Sequence, residues 1–146
     1  IEKAISFFLL KDKTLVEGAG ALGLAALIEN KSLHKFNNIG ILACGGNLDS
    51  RVLSSILMRD LKRKRQILTL SIEMEDKPGQ LGIISNICSE EEINILAVEH
   101  SRLTLDLSVK AARLNITLET QNRTHARKII RKINNLGFKV TEKKTD

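Results

Sequence analysis

The strongest constraint on this chain is a change of rhythm about halfway along it. Leu68, Leu70, Ile72 and Met74 alternate with Thr69, Ser71 and Glu73, the period of a strand with one face buried. Asp76-Lys77-Pro78-Gly79 breaks the alternation, and Pro78 suits the first turn of a helix. That helix carries Leu81, Ile84, Ile87 and Cys88 on one face. Ile93 to Val98 predicts a second strand, and Arg113 to Glu119 a third, with Leu114, Ile116 and Leu118 alternating. Asn122 to Asn135 predicts a second helix, since Ala126, Ile129, Ile130 and Ile133 fall at helical spacing. Gly137 stands where a helix-terminating glycine belongs, and Phe138 and Val140 mark a last strand.

The order β-α-β-β-α-β over residues 66–146 predicts an α+β, ferredoxin-like fold, an antiparallel sheet with both helices on one face. Fold class by itself gives no function.

Residues 1–65 follow another pattern. Ile1 to Leu10 reads as a helix, then Leu15 to Ala21 as a turn of small residues, and Leu22 to Ile28 as an almost wholly apolar helix. A helix apolar all round needs burial on every side. Ile39-Gly40-Ile41-Leu42-Ala43 suits a buried parallel strand. It leads into the glycine turn Cys44-Gly45-Gly46-Asn47, and a helix capped near Asp49 or Ser50 follows, with Val52, Leu53, Ile56, Leu57 and Leu61 at helical spacing. One strand makes no sheet, and 65 residues cannot surround that central helix. The expectation is an incomplete tail of a larger α/β domain in a fragment that starts inside a helix.

Composition narrows the function classes. Apolar residues are 42% and charged residues 27% of the 146, as in a folded domain. No apolar run approaches the roughly 18 residues of a membrane span, and no secretory leader is recognisable, so the expected setting is cytoplasmic, without a membrane partner. Cys44 and Cys88 are too few for a disulfide scaffold or a zinc ribbon. Residues 1–65 hold 11 Lys and Arg against 6 Asp and Glu, and residues 66–146 hold 12 against 11. Much of the net charge of +6 therefore sits at the junction, in Arg59, Lys62, Arg63, Lys64 and Arg65. Such a run can contact nucleic acid or an acidic surface, but cations also favour a solvated helix C-terminus.

Few residues offer chemistry of their own. His34, His100 and His125 are scattered without metal-ligand spacing, so no metal site is expected. Neither a serine nor a cysteine nucleophile has a recognisable base. Asp60, Glu90, Glu91 and Glu92 read as solvated helix faces rather than acid/base pairs. The turn at Cys44-Gly45-Gly46 admits two readings. Glycines there let a flat ligand approach the backbone beyond a strand end, or the turn is merely tight and the thiol inert.

Glu17-Gly18-Ala19-Gly20-Ala21, followed by Cys44-Gly45-Gly46-Asn47-Leu48-Asp49, resembles the end of the catalytic domain of the threonine/serine dehydratases. These are pyridoxal-phosphate enzymes of the tryptophan-synthase-β type. The resemblance implies cofactor contacts at Cys44, Glu17, Gly45 and Gly46. The residue at Cys44 would hydrogen-bond the pyridine nitrogen, as a neutral donor suited to β-elimination of water. The family's Schiff-base lysine and phosphate loop lie upstream of these motifs, so residues 1–146 alone are expected to be inactive, with no cofactor bound.

Asp76-Lys77-Pro78-Gly79-Gln80-Leu81, Ile93-Asn94-Ile95 and Glu99-His100 are similar to an ACT domain, over residues 66–146. ACT domains bind free amino acids and regulate the enzymes that carry them. One such domain after a dehydratase domain is the arrangement of single-ACT threonine ammonia-lyases, which convert threonine to 2-oxobutanoate and ammonia. The resemblance implies edge-to-edge pairing into a homodimer or higher homo-oligomer, with ligands at the interface. Physically, the N–H groups of Gly79, Gln80 and Leu81 at a helix start suit a carboxylate. Asp76 suits the ammonium, and Asn94 is expected to bond across. Some members carry a His just before the loop, where Met74 stands here. Apolar Met74, Leu81 and Ile95 favour isoleucine or valine as effector.

Two other classes share this pattern. RNA-recognition modules have the same element order, and Arg123, Arg127, Lys128, Arg131 and Lys132 make the second helix basic. They stack bases on sheet aromatics, whereas Phe138 is the only aromatic in residues 66–146, so no nucleic-acid partner is expected. A ligand-independent assembly module remains as the other alternative.

Overall fold

In a computed structural model, residues 1–102, 108 and 110–143 are described. They form two compact units, Ile1–Leu61 and Lys62–Asp146.

In the first unit, α1 (Glu2–Phe7) runs into a π-helical turn at Phe8–Asp12. Next come α2 (Leu22–Glu29), a 3-10 turn at Lys31–Lys35, and α3 (Ser50–Arg63), whose end reaches the second unit. Asp49 caps α3 as its sequence predicts: Oδ1 accepts from the N–H groups of Arg51 at 2.9 Å and Val52 at 3.1 Å.

Two expectations for this unit need correction. No strand forms at residues 39–43, and Leu42 is 82% exposed. A parallel strand needs hydrogen-bonding neighbours, and no strand forms anywhere in residues 1–61. The α/β tail is therefore not realised as a sheet. Nor is α2 buried all round: Ala25 is its only buried residue, and Leu22 is 53% exposed. Its packing partners belong to a small cluster of Ala4, Ile5, Val16, Ala21 and Ile56, which covers one side only.

The second unit follows the predicted order. It consists of β1 (Ile67–Glu75), α4 (Gln80–Glu90), β2 (Asn94–Ser101), β3 (Ala111–Glu119), α5 (Arg123–Asn135) and β4 (Lys139–Glu142). The strands form one sheet in the order β2-β3-β1-β4, each neighbouring pair antiparallel. Leu70 sits opposite Ile116 and Ile72 opposite Leu114, so the even-numbered residues of both central strands share one face. That face is closed by Ile84, Ile87 and Cys88 of α4 and by Ala126, Ile129 and Ile133 of α5. Each such large aliphatic side chain contributes about 1.5–3 kcal/mol on burial. The other face presents Thr69, Ser71, Asn115 and Thr117, with the Thr69 and Thr117 hydroxyls 3.2 Å apart.

Asn122 caps α5, its Oδ1 accepting from Thr124 and His125 N–H. The helix ends before Gly137. Pro78 lies in the turn ahead of the helix N-cap, Gly79, rather than inside the first turn of α4.

Candidate functional site

The turn joining β1 to α4 brings four of the expected ligand residues together. Gly79 occupies the N-cap of α4 with φ of 89°, a left-handed conformation that costs L residues other than Asn and Asp about 1–2 kcal/mol. A glycine offers no capping oxygen, and no side chain caps this helix. The N–H groups at Gln80 and Leu81 thus open α4 with its positive partial charge and no side-chain acceptor.

Asp76 is fixed at the same turn. Its N–H donates to the Lys110 carbonyl at 2.9 Å. Its carboxylate lies 3.3 Å from Arg102 Nε, an ion pair that sequence reasoning missed. Arg102 comes one residue after β2, and the sequence carries no signal that pairs it with Asp76. Beside them, a hydrogen bond from Lys77 holds the Glu75 carboxyl below the usual carboxylate range. Leu81 is exposed and Met74 is buried in the core.

Asn94 and Ile95 lie elsewhere. Both β1 and β2 run antiparallel to β3, and Asn94 and Ile67 share the same partner, Glu119. Asn94 therefore starts β2 level with the start of β1, whereas Asp76 follows the end of β1. The two are separated by the length of a nine-residue strand, roughly 30 Å at 3.3 Å per residue. Within one chain Asn94 cannot bond across to the Asp76 turn, contrary to expectation. Its Nδ2 instead donates to Glu119 Oε2 at 3.0 Å. Strand periodicity fixes which face a residue occupies, but the end of the sheet depends on topology.

β2 is an edge strand. A register shift between Ile95 and Ala97 marks a bulge at Leu96. Leu96 and Val98 are exposed large apolar residues on this free edge, a surface that folded proteins normally cover or pair.

In the first unit the two glycine motifs meet. Glu17 N–H donates to the Gly45 carbonyl at 2.8 Å. A Cβ on Gly20 would stand 1.9 Å from the Cys44 carbonyl oxygen, and one on Gly45 would stand 2.6 Å from Glu17 Cδ. Gly45 also has φ of 72°. Small residues are thus required where the two loops cross, and the contact places the Glu17 carboxylate next to the Cys44-Gly45-Gly46 turn. Cys44 is exposed. A thiol donor, a carboxylate and a glycine-bared backbone on one edge fit a flat heteroaromatic cofactor.

The acidic residues correct another expectation. Glu90 and Glu92 are exposed, but Asp60 and Glu91 are buried. The Glu91 carboxylate is held by Lys128 and Lys132, 2.6 and 2.5 Å away. Hydrogen bonds from Lys128 and then Lys132 hold its pKa below the usual carboxylate range. The Glu91 carbonyl also lies 3.0 Å from His125 Nε2. No group of three or more His, Cys, Asp or Glu among the described residues is arranged to hold a metal ion.

Residues 62–137 match the family model of the ACT domain. The chain belongs to the ACT-domain family. The matched residues hold β1, α4, β2, β3 and α5, and β4 follows just beyond them in the same antiparallel sheet. Beyond it, the chain is 31% identical to L-threonine ammonia-lyase of Geobacter sulfurreducens over 140 residues, 96% of this chain and 35% of that protein. The protein of the same name from Thermotoga maritima gives the same identity and coverage. The chain thus spans about a third of the length of these curated relatives. Among solved structures, prephenate dehydratase of Staphylococcus aureus subsp. aureus Mu50 aligns with a TM-score of 0.45 and 27% identity, over 53% of this chain and 29% of that one. No described helix is long and apolar enough to cross a membrane.

Proposed function

We propose that this chain is the amino-acid-sensing, regulatory C-terminal region of a threonine ammonia-lyase. The observation that carries this reading is the uncapped start of α4 beside Asp76, at the end of an ACT sheet whose β2 edge is free. The effector carboxylate sits on the N–H groups at Gly79, Gln80 and Leu81, and its ammonium on Asp76. Isoleucine or valine is the proposed effector.

Pairing of two ACT units completes the site. A two-fold axis that joins two β2 edges antiparallel lays the end of one strand beside the start of the other. That places Asn94 of the partner subunit, with Ile95 of the partner subunit, at the end of the sheet carrying Asp76. One chain alone leaves these groups a strand length apart, so the reading requires at least a homodimer. An assembly that pairs without ligand is the second reading, favoured by the exposed Leu96 and Val98.

In the full-length enzyme, proposed to be cytoplasmic, Cys44, Glu17, Gly45 and Gly46 form one edge of the pyridoxal 5'-phosphate site. The cofactor supplies the electron sink for eliminating water from threonine. In this reading the Cys44 thiol donates toward the ring nitrogen, Glu17 lines the same edge, and the glycines admit the ring to the backbone. Effector binding alters subunit arrangement, which α3 transmits toward that edge. Coupling of this kind requires unequal effector affinity in two states.

Sedimentation with and without isoleucine, on the wild type and on Leu96→Lys, tests the pairing. The reading expects a wild-type dimer, and a shift toward monomer with loss of isoleucine binding in the variant. A variant that stays monomeric and binds isoleucine normally contradicts the interfacial site.

A further inference from the structure

Between the start of α4 and the end of α5 the ACT unit contains a cleft of about 620 Å³, within the range of small-molecule sites. Both helix ends lie at one end of the sheet, because α4 follows β1 while α5 leads into β4, where Lys139 pairs with Glu73 near the end of β1. The cleft takes Ile83 from α4 and Leu136 and Phe138 from the turn into β4. Ile83 is 41% and Leu136 58% exposed, and Phe138 is half-buried. Large apolar side chains are thus turned toward solvent around a concavity.

The rim is polar and carries both signs. Glu73 Oε2 and Lys139 Nζ are 2.9 Å apart, and Glu75, Lys110 and Gln80 also line the opening. Helix polarity adds to this: α4 presents its positive end and α5 its negative end to the same space. An inorganic anion makes no use of Ile83, Leu136 and Phe138, and a hydrocarbon makes no use of the polar rim. A zwitterion with an apolar side chain satisfies both.

We infer that the effector amino acid inserts its side chain into this cleft, within one chain, so that Ile83, Leu136 and Phe138 set selectivity for large aliphatic or aromatic side chains. This inference rests on the sensing role proposed above and deepens it. It moves selectivity away from Leu81 and Ile95, which line the other side of α4 and the far end of β2.

The test is equilibrium dialysis of the full chain with labelled isoleucine and phenylalanine, comparing Ile83→Arg with Asn86→Arg. Both positions are exposed on α4, so neither substitution buries a charge in the core, and a melting curve checks the fold. The expected result is that Ile83→Arg weakens binding about tenfold or more, as loss of a side-chain pocket does, while Asn86→Arg binds as the wild type does. Wild-type binding that survives Ile83→Arg, or that Asn86→Arg damages equally, overturns the cleft and leaves the sensing role intact. No binding of either amino acid by the folded wild type overturns the sensing role itself, and the cleft with it.

Discussion

Lys132 Nζ lies 2.5 Å from Glu91 Oε1, joining the end of α4 to the last turn of α5. The pair predicts a pH dependence that the sequence pattern hides. Hydrogen bonding from Lys128, then from Lys132, lowers the Glu91 pKa, and hydrogen bonding from Glu91 raises that of Lys132. A lowered carboxylate pKa contributes stability above the ordinary glutamate value, and that contribution fades as pH falls through the folded-state pKa. For Lys132 the contribution is present below the ordinary lysine value and fades as pH rises through its raised pKa. Glu91→Gln is therefore expected to lower the melting temperature at pH 7, with a gap that narrows below about pH 4, near the unperturbed glutamate range. Thermal melts at pH 7 and pH 3 check this.

Substitutions on the two sheet faces should differ in cost. Leu114 is fully buried under the helices, and Leu114→Ala is expected to cost about 2–5 kcal/mol in urea denaturation. Thr117→Ala, on the open face, removes only the cross-strand contact with Thr69, and about 0.2–1 kcal/mol is expected.

The two cysteines should react at different rates. Cys44 is exposed and Cys88 is buried, and burial pushes the Cys88 thiol up, which leaves little thiolate to attack. A thiol reagent at pH 8 is expected to modify Cys44 rapidly and Cys88 only after unfolding, as read by mass of the labelled peptides.

Gly45→Ala should disturb the crossing of the two glycine loops. Its Cβ would enter the space of the Glu17 side chain, and the backbone there has positive φ. A loss of about 1–2 kcal/mol is expected from the conformation alone. A changed labelling rate at neighbouring Cys44 is the accompanying signal.

Legibility in the sequence followed the range of the interactions. Alternation around Leu70 and Ile116 and the helical stripes at Ile84 and Ile129 are local patterns, and each became the expected element. The segment at residues 39–43 has the same apolar character, yet a strand depends on partners that its own sequence does not encode. The Asp76 turn was legible from Pro78 and Gly79. The distance from Asp76 to Asn94 was not, because it follows from β1 and β2 running parallel through a shared neighbour. Glu91 resembled its solvated neighbours Glu90 and Glu92 until Lys128 and Lys132 met it from another helix. Ile83 did leave a signal, as an apolar residue off the buried stripe of α4.

The central claim is that this ACT domain senses a branched aliphatic amino acid at the start of α4. Calorimetric titration of the folded chain with isoleucine and valine, repeated on Asp76→Ala, tests it most directly. Saturable binding by the wild type, lost or strongly weakened in Asp76→Ala, is the predicted result. A well-folded dimer that gives no binding heat with either amino acid, and no shift in melting temperature, contradicts the claim and leaves the ligand-independent assembly module.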